Sequence, residues 1–178
     1  TANQAKVFRT IGGRRRAIVS GGAGTGKTLL AAQRARALAA SGLQVLLICY
    51  NRPLADSLAM GMRGVAGLTV MSYHQLCEAM IRQAKTMGSD VLREAQEAYP
   101  SDSDQQKFDT QYPFALALAA EVVSQRYDAI LVDEAQDLPA EFLRLCYRFL
   151  KEPKRMVYAY DELQSLTGSS VLPPEELF

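Results

Sequence analysis

The chain is poor in metal-binding side chains. It holds one histidine, His74, and three cysteines, Cys49, Cys77 and Cys146, with no Cys-x-x-Cys pair. That is too few and too scattered for a zinc site. An odd, widely spaced set of cysteines, two of them in apolar surroundings, reads as buried reduced thiols and points to a reducing cytoplasm. No apolar run approaches the roughly 20 residues of a membrane span, so no membrane partner is expected. No signal peptide is visible and the initiator Met is missing, so the chain is expected to be a monomeric piece of something longer. Neither sign of charge dominates: 20 basic against 19 acidic residues leave a net charge of +1. Any nucleic-acid surface must therefore be a local patch. At 178 residues, 48% hydrophobic and 22% charged, the chain excludes global disorder and suits one well-buried domain. No internal repeat is apparent.

What is present is an alternation of apolar runs with helical patterns, the signature of an α/β domain around a parallel sheet. Strands are expected at Arg16 to Ser20, Gln44 to Tyr50, Leu68 to Ser72, Tyr127 to Val132 and Arg155 to Tyr160. Helices are expected from Lys27 to about Ala40, after Pro53, from about His74 to Met87, from Phe114 to Ser124 and from Ala140 to Leu150. Ser41-Gly42 closes the first helix, with Gly where a left-handed end is cheapest. The second strand is a near-continuous apolar run, as for a strand covered on both faces. Residues 88–112 are polar and include Pro100-Ser101-Asp102-Ser103-Asp104, so they read as a surface insertion, helical around Val91 to Ala98. Leu116, Leu118, Val122 and Val123 form a core stripe.

Two segments carry chemistry. Gly21-Gly22-Ala23-Gly24-Thr25-Gly26-Lys27-Thr28 follows the apolar Ala17-Ile18-Val19 and fits G-x-x-x-x-G-K-[ST] with the required strand before and helix after. Glycines let successive backbone N–H groups turn inward as an anion cradle, and the helix N-terminus adds partial positive charge. Lys27 supplies a point charge to β and γ oxygens, and the Thr28 hydroxyl is a Mg²⁺ ligand. Asp133-Glu134-Ala135-Gln136-Asp137 follows the apolar Ala129 to Val132. Open α/β sheets put their ligand crevice at such carboxyl ends. Asp133 is read as holding Mg²⁺ and Glu134 as orienting and deprotonating an attacking water. Asp137 fits either a helix cap near Pro139 or a functional acid. Arg14-Arg15-Arg16 reads as a solvated turn ahead of the strand.

Taken together the segments resemble superfamily 1 helicases of the UvrD/Rep type, specifically their first RecA-like motor domain. The acidic segment has the D-E-x-Q form of that group. Tyr50-Asn51-Arg52-Pro53-Leu54-Ala55, Ser72-Tyr73-His74-Gln75-Leu76 and Asp161-Glu162-Leu163-Gln164-Ser165-Leu166 resemble the family's segments after the second, third and fifth strands. Gln4, in Ala2-Asn3-Gln4, resembles the N-x-x-Q element that reads the adenine edge, one residue short in spacing. The motifs follow the family's order over nearly the whole chain.

The resemblance implies a three-layer RecA-like P-loop NTPase fold with a mainly parallel sheet, spanning residues 1–178 as one domain. It implies ATP and Mg²⁺ as cofactors, with Gln164 sensing the γ-phosphate. It implies that Asn51, Arg52, Tyr73 and His74 face single-stranded DNA, RNA being the open alternative. Arg grips phosphate bidentately and an aromatic ring stacks a base. Asn51-Arg52 equally fits a helix cap beside a solvated side chain, His74 a core or capping histidine, and Tyr73 a packing ring. Tyr160 stands where the family usually has Gly, and the stretch from His74 to Asp133 is too short for the family's large accessory subdomain. Nothing resembles the second RecA-like domain, which carries an arginine worth roughly 10³–10⁵ in rate. The implied function is ATP-driven translocation on or unwinding of DNA together with that second domain. The rival is an ATP-driven switch or translocase coupled to a nuclease or partner, and a third is a nucleic-acid-binding module with a decayed site.

Overall fold

A computed structural model describes residues 14–22, 24–101, 103–124, 126–138 and 140–161. Five strands, β1 (Arg16–Ser20), β2 (Val45–Cys49), β3 (Leu68–Ser72), β4 (Tyr127–Val132) and β5 (Leu150–Tyr160), form one sheet in the order β1-β5-β4-β2-β3. The pairings among the described residues are all parallel. The helices are α1 (Lys27–Ala40), α2 (Arg52–Gly61), α3 (Tyr73–Thr86), α4 (Val91–Ala98), α5 (Tyr112–Val122) and α6 (Ala140–Arg148). A short helical turn at Asp104–Gln106 and a π-helical turn at Lys107–Gln111 lead into α5.

The alternation of side chains along each strand sorts the core into two layers. Val45, Leu47 and Cys49 of β2, Ala129 and Leu131 of β4, and Val157 and Ala159 of β5 face Leu30, Ala31, Ala35 and Ala39 of α1 and Ala55 of α2. Leu46, Ile48, Ile130, Val132, Met156 and Tyr158 point the other way, onto α3, α4, α5 and α6. Both faces of β2 are thus covered, which is why it reads as an unbroken apolar run. The result is the three-layer, parallel α/β fold that the resemblance implies. Among the described residues no helix is long and apolar enough to cross a membrane.

Local chemistry fixes the helix starts. Asn51 caps α2 by accepting from Leu54 N at 2.9 Å, with Pro53 in the first turn. Ser72 and Gln75 form a reciprocal capping box at α3. Some boundaries differ from the sequence reading. β5 begins at Leu150, where α6 was expected to end: Leu150 pairs with Tyr127, and the polar stretch Lys151–Lys154 sits at a register shift that hides the strand pattern. α5 begins at Tyr112, with Pro113 in its first turn. Within 88–112, Val91 and Ala95 of α4 are buried in the core while the polar residues of that helix stay outside. Gln111 is also buried and donates to Tyr99 O at 2.7 Å.

Candidate functional site

The sheet order places the site. β5 lies between β1 and β4, with Ser20 beside Tyr160 and Val132 beside Tyr158. The loops leaving β1, β4 and β5 therefore emerge side by side at the carboxyl edge, the edge where ligands of open α/β sheets bind. Residues far apart in the chain meet there.

The loop after β1 is built on glycine geometry. Gly24 and Gly26 take φ 74° and 85°, left-handed backbone that other residues adopt only with strain, and Gly26 is the N-cap of α1. Thr25 Oγ1 donates to Gly22 O at 2.8 Å and tightens the turn. Lys27, at the start of α1, is buried. Its Nζ donates to Gly21 O at 2.8 Å and Gly22 O at 3.0 Å, and lies 3.4 Å from Asp161 Oδ2, also buried. The ammonium thus sits at the mouth of its own loop, held by two carbonyls and one carboxylate.

Beyond β4, Asp133 is fully buried and neither of its carboxylate oxygens has a hydrogen-bond partner. Burial pushes its carboxyl above the usual carboxylate range. The nearby Thr28 hydroxyl opposes the rise, the Glu134 charge adds to it, and the Glu134 backbone N–H and the Lys27 ammonium oppose it further. Lys27, Thr28 and Asp133 therefore share one space, although Thr28 falls short of an ordinary hydrogen bond to Asp133. A buried carboxylate with unsatisfied oxygens beside a hydroxyl is the hard-oxygen donor set that suits Mg²⁺ completed by phosphate and water. Next along, Glu134 takes φ 53° and ψ 49°, the positive-φ non-glycine residue among those described. Its Oε2 accepts from Gln136 Nε2 at 2.6 Å. Gln136 Oε1 in turn accepts from Asp161 N at 3.0 Å. Asp137 is exposed in a short 3₁₀ turn.

Asp161 and Gln136 were absent from the residues singled out in the sequence. Both lie inside the quoted motifs, but their roles depend on β5 standing between β1 and β4, which no local pattern reveals. Tyr160 ends β5 paired with Ser20 and outside the left-handed region, so this backbone has no need of glycine there.

The residues expected to meet nucleic acid lie at the ends of β2 and β3. Asn51 and Arg52 are exposed, and Arg52 Nε lies 3.8 Å from Asp56 Oδ2. His74 is half-buried, its ring centroid 4.9 Å from that of Tyr73. Tyr73 is buried, with the Phe142 ring edge-on at 4.6 Å, so the packing alternative describes its place. Gln4, Ala23 and Gln164 lie outside the described residues. A separate, mostly apolar cavity of about 600 Å³, lined by Tyr73, Tyr99, Phe114, Phe142 and Leu145 among others, shares no residue with the phosphate-loop site.

A family model describing an AAA domain matches residues 4–169. No curated protein matches the chain.

Proposed function

The chain belongs to the AAA domain family, and from that premise we propose that it is the ATP-binding motor domain of a UvrD/Rep-like DNA helicase, working in the cytoplasm beside a second RecA-like domain. One observation carries the reading: Lys27, Thr28, Asp133 and Glu134 converge on a single sheet edge, the cation and carboxylates arranged around one space.

In this reading the loop from Gly21 to Thr28 cradles the triphosphate through its backbone N–H groups, and Lys27 leaves the Gly21 and Gly22 carbonyls for the β and γ oxygens. Thr28 and Asp133 would hold Mg²⁺, which neutralises charge on those oxygens when bound. Glu134 orients water and takes its proton. Gln4 reads the adenine edge and Gln164 senses the γ-phosphate, following the family pattern. Asn51, Arg52 and His74 face single-stranded DNA, Arg52 gripping phosphate, with the buried Tyr73 ring packed beside His74. The second domain supplies the arginine that stabilises the transferred charge.

The test is ATP turnover and nucleotide binding in the protein carrying both motor domains, with and without single-stranded DNA at low salt. Lys27→Ala is expected to weaken nucleotide binding at least tenfold, about 1.4 kcal/mol. Glu134→Gln is expected to keep ATP bound and lose turnover. Single strands are expected to raise the native rate. Equal loss of binding in both variants would contradict the assigned roles, and a rate indifferent to single strands would favour the switch over the helicase.

A further inference from the structure

We propose that Gln136 is a positioning residue whose side-chain amide, itself fixed by the backbone of β5's end, holds the Glu134 carboxylate in its working orientation. This rests on the reading of Glu134 as the proton acceptor.

A glutamine amide presents an acceptor on one side and a donor on the other, and its neighbours decide which way it faces. Here the choice is forced. Asp161 N–H can only donate, so the atom facing it must be Oε1, and the 3.0 Å contact is made by that atom. The NH₂ is thereby left to face Glu134, where it donates to Oε2 at 2.6 Å. That is shorter than a typical charge-assisted N–H···O bond. With Gln136 buried, the Asp161 contact opposes a flip of the amide, since a flip would set NH₂ against N–H and carbonyl against carboxylate. Glu134 needs such a hold because it stands on left-handed backbone at φ 53°, a conformation that costs about 1–2 kcal/mol for a residue with a Cβ. Held at one oxygen, the carboxylate keeps the other for water.

The bridge extends further. Asp161 supplies its N–H to Gln136 and its carboxylate to Lys27. Lys27, Asp161, Gln136 and Glu134 thus form one line from the phosphate loop to the proton acceptor, crossing β5. A residue at this point can couple the position of the acceptor to the end of β5 without touching nucleotide.

Two substitutions separate positioning from mere support. Gln136→Met keeps length and apolar bulk but loses the bonds to Glu134 and to Asp161 N–H. Gln136→Glu keeps an acceptor for Asp161 N–H and sets a second carboxylate against Glu134. In the protein carrying both motor domains, both are expected to lower kcat roughly tenfold or more, the usual scale for a partner one step behind the reacting group, with KM for ATP held within about twofold. Independently of turnover, hydrogen exchange of the Asp161 amide in the nucleotide-free protein is expected to speed up about tenfold in Gln136→Met and to stay slow in Gln136→Glu. Native kcat in Gln136→Glu would overturn the proposal, because the Asp161 bond alone would then suffice. So would a rise in KM in step with the fall in kcat, or an Asp161 amide that exchanges equally slowly in Gln136→Met. Turnover retained by Glu134→Gln would instead remove the proton acceptor itself, a failure distinguishable from these.

Discussion

Among the described residues, Asp133 is a fully buried carboxylate whose surroundings fit it poorly without a ligand. A buried carboxylate lacking hydrogen bonds costs the fold free energy that a buried amide costs less. Asp133→Asn is therefore expected to raise the melting temperature of the nucleotide-free protein. A relief of roughly 1–3 kcal/mol corresponds to about 2–12 °C in a domain of this size. The sign with pH follows from the upward shift of its carboxyl. The cost of the ionised form is absent below the unfolded-state carboxyl pKa and complete above the raised folded-state value. The gap between variant and native should thus widen as pH rises through that range and close as it falls. Thermal scans at several pH values, with and without Mg²⁺ and ATP, measure it. The same variant should lose most of the stabilisation that Mg²⁺ and ATP give the native protein. A variant that melts lower at every pH would show that Asp133 supports the fold directly. At this scale much was legible: Lys27, Thr28, Asp133 and Glu134 follow apolar runs in patterns whose chemistry is local. Asp161 and Gln136 were not, because each acts on a partner delivered by another strand.

Elements were legible wherever one face or a cap decides them. β1, β3, β4, α1 and α4 fall where apolar runs, Gly and Asp caps place them. The start of β5 escaped notice because Lys151–Lys154 interrupts the alternation on which a strand is recognised. The π-helical turn before α5 has no distinctive pattern of its own. β2 is the element on which both layers depend, every one of its residues being fully buried. Ile48 packs on the α3–α6 side of the sheet, and Ile48→Ala is expected to cost about 2–5 kcal/mol, chiefly through the cavity it leaves. Urea unfolding should show the midpoint falling with an unchanged slope. A loss below about 1 kcal/mol would mean the strand can collapse onto the gap.

Across the whole molecule, the free thiols of Cys49, Cys77 and Cys146 are buried on both sides of the sheet. Burial pushes Cys49 and Cys77 up to about 12 and raises Cys146 well above the ordinary thiol value, with the Asp133 charge adding to Cys49. At pH 8 the thiolate fraction of the first two is on the order of 10⁻⁴. Labelling by a thiol-specific reagent should therefore be slow in the native protein and should track unfolding as denaturant is added; rapid labelling of any one of the three in native buffer would reveal a local opening. The strand order has a further consequence. Since β5 separates β1 from β4, the phosphate loop after β1 gains Asp161 and Asp133 only once β5 and β4 stand beside it. A nucleotide with its Mg²⁺ is therefore expected to bind the finished sheet most tightly, so its grip rewards completion of the molecule.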